Sequence, residues 1–175
     1  MAVGVKENSR LEERFRLWDA DGNGVIERSD FETEADGIIT ALGAQGTPAG
    51  TELKRAYLAM FDHLANAAGT ERMDKPEFLR VAEQEIISKG DAGFSTVVAP
   101  TIQAIVKVLD TDGDGEVSPA EMAKWFDAIG LDQGAADEAF RQLDADGSGQ
   151  LSVNELVDAV RDYHLGRNDI PLLGA

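Results

Sequence analysis

Apolar residues recur along the chain at helical spacing, in runs separated by polar stretches rich in Asp and Gly. Leu11, Phe15 and Trp18 stand at i, i+4 and i+7 and predict a helix over 8–18 with one buried stripe. Phe31, Ala35, Ile38 and Leu42 predict the next. The 43–50 stretch is a connector rich in helix breakers, and Thr51 is the expected N-cap of a third helix. That helix buries Leu53, Tyr57, Met60, Phe61 and Leu64. Phe78, Val81 and Ile86 mark a fourth, and the 88–95 stretch, with Gly90 and Gly93, reads as a linker. The second half repeats the pattern through Val98, Ile102, Ile105, Val106 and Leu109, then Met122, Trp125, Phe126 and Ile129. Ala139, Phe140 and Leu143 precede a last helix lined by Leu156, Val157, Val160 and Tyr163. Stripes of this kind are core, and the fold class is all-α.

The polar stretches between the helices share a twelve-residue design. Asp110, Asp112 and Asp114 take positions 1, 3 and 5, Ser118 takes position 9 and Glu121 position 12. Gly115 at position 6 permits the backbone turn, Glu116 offers its carbonyl at position 7, and Val117 is the apolar position 8. A hard divalent cation needs six to eight oxygens, and this spacing curls them around one point. It is the EF-hand calcium loop. The last such loop offers Asp144, Asp146, Ser148, the Gln150 carbonyl, Ser152 and Glu155, with Leu151 at position 8. The first offers Asp19, Asp21, Asn23, the Val25 carbonyl and Glu27, and closes with Asp30 rather than a glutamate. Aspartate is one methylene shorter, so bidentate capture is harder there and magnesium is expected as an alternative occupant.

A second loop should lie before Glu77 and Phe78, and it departs from the pattern. Counting back from Glu77 puts Asn66 at position 1, Ala68 at 3, Thr70 at 5 and Glu71 where glycine is needed. Starting at Asp62 leaves sixteen residues up to Glu77. Neither register makes a cage. Its flanks survive, however: Met73 keeps the apolar position 8, and Asp74 with Glu77 can form a capping box around Pro76. The hand is expected to persist as a structural partner of the first.

Four hands then form two pairs, residues 1–90 and 91–175, the first with one binding and one degenerate hand and the second with two binding hands. Short antiparallel contacts at position 8 should join Ile26 to Met73 and Val117 to Leu151. Four hands with good loops one, three and four resemble the sarcoplasmic calcium-binding proteins. Two segments carry that resemblance: Arg-Leu-Trp-Asp-Ala-Asp-Gly-Asn-Gly-Val-Ile-Glu over 16–27 and Arg-Asp-Tyr-His-Leu-Gly-Arg over 161–167. The resemblance implies a compact α fold, three bound calcium ions, and a buffering or transport role in the cytosol.

Charge sharpens this picture. Sixteen Lys and Arg stand against 33 Asp and Glu, giving a net charge of −17 that three calcium ions would reduce to −11. Such a balance opposes nucleic acid phosphates and anionic membranes. With no cysteine, disulfides and thiolate metal sites are excluded. The first residues show no signal-peptide run, Ala2 argues against N-myristoylation, and no segment is read as approaching a membrane span, so a cytoplasmic monomer without a membrane anchor is expected. His63 and His164 have no evident nucleophile or metal partner, so no enzyme is expected. A calcium buffer is favoured, since only four methionines are available to line a target groove. The alternative is a sensor that regulates a protein partner through a groove built from Trp125, Phe126, Phe140 and the tail. That tail carries Ile170, Pro171, Leu172 and Leu173, which could fold back or stay solvated.

Overall fold

A computed structural model describes residues 5–170, with side chains from residue 9 onward. Helix α1, Val5–Trp18, stops one residue before Asp19. Strand β1 is Val25–Ile26, and α2 is Arg28–Ala41. Helix α3, Pro48–Ala68, starts earlier than the sequence suggested. Thr47 is its N-cap, accepting from Gly50 N at 3.0 Å, and Thr51 lies inside the first turn. Pro48 explains the choice: its fixed φ and missing N–H suit the first helical position. Strand β2 is Met73–Asp74, and α4, Lys75–Ala82, opens on the expected capping box, with Asp74 accepting from Glu77 N at 3.0 Å.

Beyond α4 the backbone widens into a π turn, Glu83–Ile87, followed by a short helix α5, Asp91–Gly93, and a second π turn, Phe94–Val98. The 88–95 stretch, read as a linker, is thus a folded connection. Gly93 serves close packing rather than flexibility. A Cβ there would sit 2.4 Å from the Ile86 carbonyl oxygen, and the two π turns pack against one another. Helices α6 (Ala99–Leu109), α7 (Pro119–Ala128), α8 (Gln133–Leu143) and α9 (Val153–His164) complete the chain.

The loops pair as the alternation of ligand and apolar positions predicts. Strands β1 and β2 are antiparallel, with Ile26 opposite Met73. Val117 and Leu151 form an isolated antiparallel bridge closed by two hydrogen bonds of 2.8 Å. All four side chains are fully buried, so each pairing seals the top of a core.

The apolar interior forms two clusters. The first gathers the aromatic residues of hands one and two: Trp18 and Phe31 lie 4.8 Å apart, Phe31 and Phe61 5.3 Å, and Phe15 and Phe78 5.7 Å. The second runs from Ile102 through Leu109, Phe126 and Leu143 to Ile170. Helix α6 serves both, giving Ala104 to the first and Ile102, Val106 and Leu109 to the second. That double duty makes the stretch apolar. Asp91–Leu109 is 19 residues with a mean hydropathy of 1.5, long and apolar enough to cross a membrane by length and composition, and half of it is buried inside the protein. The expectation that no segment approaches a membrane span is corrected accordingly.

The chain ends meet. Arg10 of α1 donates to the carbonyl oxygens of Tyr163 and Asn168, pairs with Asp169 at 2.6 Å, and stacks 3.9 Å from the Tyr163 ring centroid. Ile170 is buried in the second core, so this part of the tail folds back; Pro171, Leu172 and Leu173 lie outside the described residues.

Gly93→Ala should destabilise the fold by about 1–3 kcal/mol, the usual cost of forced overpacking. Urea unfolding of the variant reads this directly, and an unchanged midpoint would contradict the close-packing role.

Candidate metal centre

Each loop is wound by its own backbone before any ion is considered. In the third hand Asp110 accepts from the N–H groups of Gly113, Asp114 and Gly115, at 2.9, 3.2 and 2.9 Å. Asp112 accepts from Asp114 N at 3.1 Å, and Asp114 from Glu116 N at 2.9 Å. Gly115 has φ +82°, a conformation in which a Cβ would be strained. Glu121 reaches back from the first turn of α7. It accepts from Ser118 N at 2.9 Å and from both the N–H and the hydroxyl of Thr111. Carboxylate oxygens of Asp110, Asp112, Asp114 and Glu121 thereby come within 4.8 Å of one another.

The fourth hand repeats this geometry. Asp144 accepts from Ser148 N and Gly149 N at 3.1 and 2.8 Å, and Glu155 from Ser152 N at 2.9 Å. Asp144, Asp146 and Glu155 form the carboxylate cluster. In the first hand Asp19 accepts from Asn23 N and Gly24 N at 3.1 and 2.9 Å, while Glu27 N donates to Asp30 at 2.8 Å. Asp19, Asp21 and Asp30 converge there. These sets fit a calcium ion: all-oxygen donors within 4.8 Å match the spread of ligands held 2.3–2.6 Å from one centre.

Other sequence-derived candidates occupy different roles. Ser118 and Ser152 cap α7 and α9, accepting from Glu121 N and Glu155 N at 3.2 and 3.1 Å. Asn23 and Ser148 each turn back on their own loop, Asn23 accepting from Val25 N at 2.9 Å and Ser148 donating to the Gln150 carbonyl at 2.9 Å. Val25, Glu116 and Gln150 each precede a paired position 8. Glu27 stands outside its cluster and pairs with Arg72 at 3.0 Å.

Residues 135–163 match the EF hand domain family, and residues 102–128 match a second EF hand family. Calerythrin from Saccharopolyspora erythraea is 42% identical over 171 residues, covering 95% of this chain and 97% of that protein. The chain belongs to the calerythrin family of EF-hand calcium-binding proteins. A solved calcium-binding protein from Streptomyces coelicolor is 32% identical with a TM-score of 0.75, over 91% of this chain and 98% of that one. Calcium-loaded apo-aequorin from Aequorea victoria, 23% identical with a TM-score of 0.77 over 95% and 94% of the two chains, shares the fold.

In this calerythrin-like frame the second hand has lost its loop to its own helix. Helix α3 runs through Asn66 to Ala68 before Gly69, with φ +74°, ends it by donating to the Ala65 carbonyl at 2.9 Å. Positions 1 to 3 of the Asn66 register are thus helical, and Asp62, the other candidate start, is ion-paired with Arg28. The sequence reading missed Arg72. Its signal was the register itself: with Ile26 opposite Met73, the next pair outward is Glu27 with Arg72. The second hand therefore presents a cation to the first.

The electrostatics differ between the closing residues. The backbone N–H of Ser118, joined by the Thr111 donors, holds the Glu121 carboxyl down to about 2 against the opposing effect of burial. Burial, reinforced by Asp21 and Asp19, pushes the Asp30 carboxyl up. A depressed carboxyl stabilises the fold above its unfolded value of 4.5, and that contribution is lost as pH falls toward about 2. With chelator present, Glu121→Gln should therefore cost most stability above pH 4.5 and progressively less below it. Urea melts across that range would contradict this if the gap between variant and parent were constant.

Proposed function

We propose that the chain is a cytoplasmic calcium buffer with three binding sites and a silent second hand. The observation that carries this reading is the prior convergence of carboxylates in three loops, each shaped by backbone N–H groups rather than by a partner. Asp110, Asp112, Asp114 and Glu121 hold one ion, with Ser118 and the Glu116 carbonyl completing the shell. Asp144, Asp146 and Glu155 hold a second, with Ser148, Ser152 and the Gln150 carbonyl. Asp19, Asp21, Asn23 and Asp30 hold the third, with the Val25 carbonyl and with Glu27 once it leaves Arg72. Residues 1–90 and 91–175 act as the two pairs, and no chemistry beyond ion binding is assigned. Among the described residues Leu17 is the one exposed large apolar side chain, which favours a buffer over a target-binding sensor. Phe126, a candidate for a target groove, is buried.

One relative supports the sensor reading. The Streptomyces coelicolor protein is described in terms of prokaryotic calcium-mediated regulation. A sensor exposes apolar surface when the ion binds. An apolar dye such as anilinonaphthalene sulfonate separates the two: the buffer shows no calcium-dependent gain in dye fluorescence, and a strong gain would shift the assignment to a sensor.

Calorimetric titration with calcium should count three sites, with dissociation constants on the order of 10⁻⁹–10⁻⁸ M for the buffer class. Magnesium should compete most at the Asp19–Asp30 loop, where the short closing carboxylate favours six-coordination. Glu121→Gln should remove one site and weaken the neighbouring Asp144 site through the Val117–Leu151 bridge. An isotherm unchanged by that substitution would overturn the assignment.

A further inference from the structure

Loop one differs from loops three and four at position 9. Ser118 and Ser152 hold that position in hands three and four, and both are uncharged. Glu27 holds it in hand one, a fourth carboxylate beside the converging Asp19, Asp21 and Asp30.

The antiparallel contact decides what Glu27 faces. With Val25 opposite Asp74 and Ile26 opposite Met73, the next residues outward are Glu27 and Arg72, and their side chains meet at 3.0 Å. In the other pair, Val117 opposite Leu151 puts Gln150 across from Ser118 and Glu116 across from Ser152. Among the described residues, Arg72 is the one cation that these contacts set against a position 9.

Arg72 is fixed at its base and free at its tip. Its backbone N–H donates to Thr70 Oγ1 at 3.1 Å, and Met73, next along the chain, is fully buried in the pairing. The Arg72 side chain is nevertheless 67% exposed, against 25% for Glu27. An ion pair this open to water is weak and readily exchanged for another partner. A divalent ion in loop one needs the same carboxylate. While Arg72 holds Glu27, three carboxylates are left for the ion. Once the ion takes Glu27, a like charge stands beside it. Both effects oppose binding at this loop and are absent from the other two.

We propose that Arg72 is a tethered competitor for the metal at loop one, withholding Glu27 until the ion displaces it and so setting the affinity of that site. The inference deepens the three-site reading above and rests on it. Asp30 governs the shape of the coordination shell, and Arg72, from the second hand, governs how much calcium is needed to fill it.

The test is a ¹H–¹⁵N NMR titration of the full chain in chelator-buffered calcium, read at Gly24, Gly115 and Gly149. Each of these N–H groups donates to the first aspartate of its own loop, at 2.9, 2.9 and 2.8 Å, so each reports on one site. Arg72→Gln should lower the free calcium at which Gly24 responds by about two- to fivefold, the range of an exposed ion pair, and leave Gly115 and Gly149 unchanged. Arg72→Lys should keep the parent midpoint, because the charge stays. In a Glu27→Gln background, Arg72→Gln should add little, and added salt should narrow the gap between Arg72→Gln and the parent. An unmoved Gly24 midpoint in Arg72→Gln, an equal gain in Arg72→Lys, or an equal gain without Glu27 would overturn the proposal and leave the three-site reading standing. A Gly24 signal that ignores calcium in the parent would overturn both.

Discussion

The pairing of loops at position 8 is the constraint on which the rest of the molecule depends. Ile26 against Met73 and Val117 against Leu151 are short contacts, but each buries two apolar side chains completely between two polar loops. Full burial of such a side chain contributes roughly 1.5–3 kcal/mol. Pairing also fixes the direction in which four helices leave each pair of loops. Without a partner, an acidic loop would have to be organised against its own repulsion, and its helices would expose one apolar face each. This explains why a hand that forms no cage is kept. Its Met73 closes the first core, and its backbone holds β1 in place.

Loop architecture answers the problem of crowded like charges in a local way. Asp110, Asp144 and Asp19 each bind backbone N–H groups three to five residues ahead, so the carboxylates are oriented by dipoles of the same turn. The closing residues are oriented differently. Glu121 and Glu155 sit in capping boxes with the serines at position 9, which couples the helix start to the shape of the cage. Asp30 does the same for Glu27, but on a shorter side chain, and the charge of Glu27 is taken up by Arg72 from the neighbouring hand. The two hands are thus joined by an ion pair as well as by the two-stranded contact.

Two features join the halves. Helix α6 faces both cores, and Arg10 ties α1 to the end of α9 and the segment that follows it. Where the cores meet, aromatic rings from both pairs leave a space that neither fills. Trp18 directly precedes Asp19, and Trp125 lies in the helix that leaves the Asp110 loop, so the walls of that space are attached to the ion-binding elements. The interior and the loops are physically continuous even though they carry different chemistry.

The loops were legible in the sequence because their geometry is local. Twelve contiguous residues contain the donors, the glycine turn and the closing acid, and the same spacing dictates which residue faces the partner loop. Helical stripes were legible for the same reason, since Leu11, Phe15 and Trp18 share a face whatever they pack against. Local reading went astray at the start of α3, where the cap is Thr47 and not Thr51 because Pro48 suits the first helical position, and where glycine had a packing role, as at Gly93. The Glu27–Arg72 pair, the Arg10 clamp and the cavity behind Trp18 and Tyr57 belong to the tertiary structure alone. Each joins residues far apart in the chain, and their meeting is fixed by how helices pack, which no spacing along a single segment encodes.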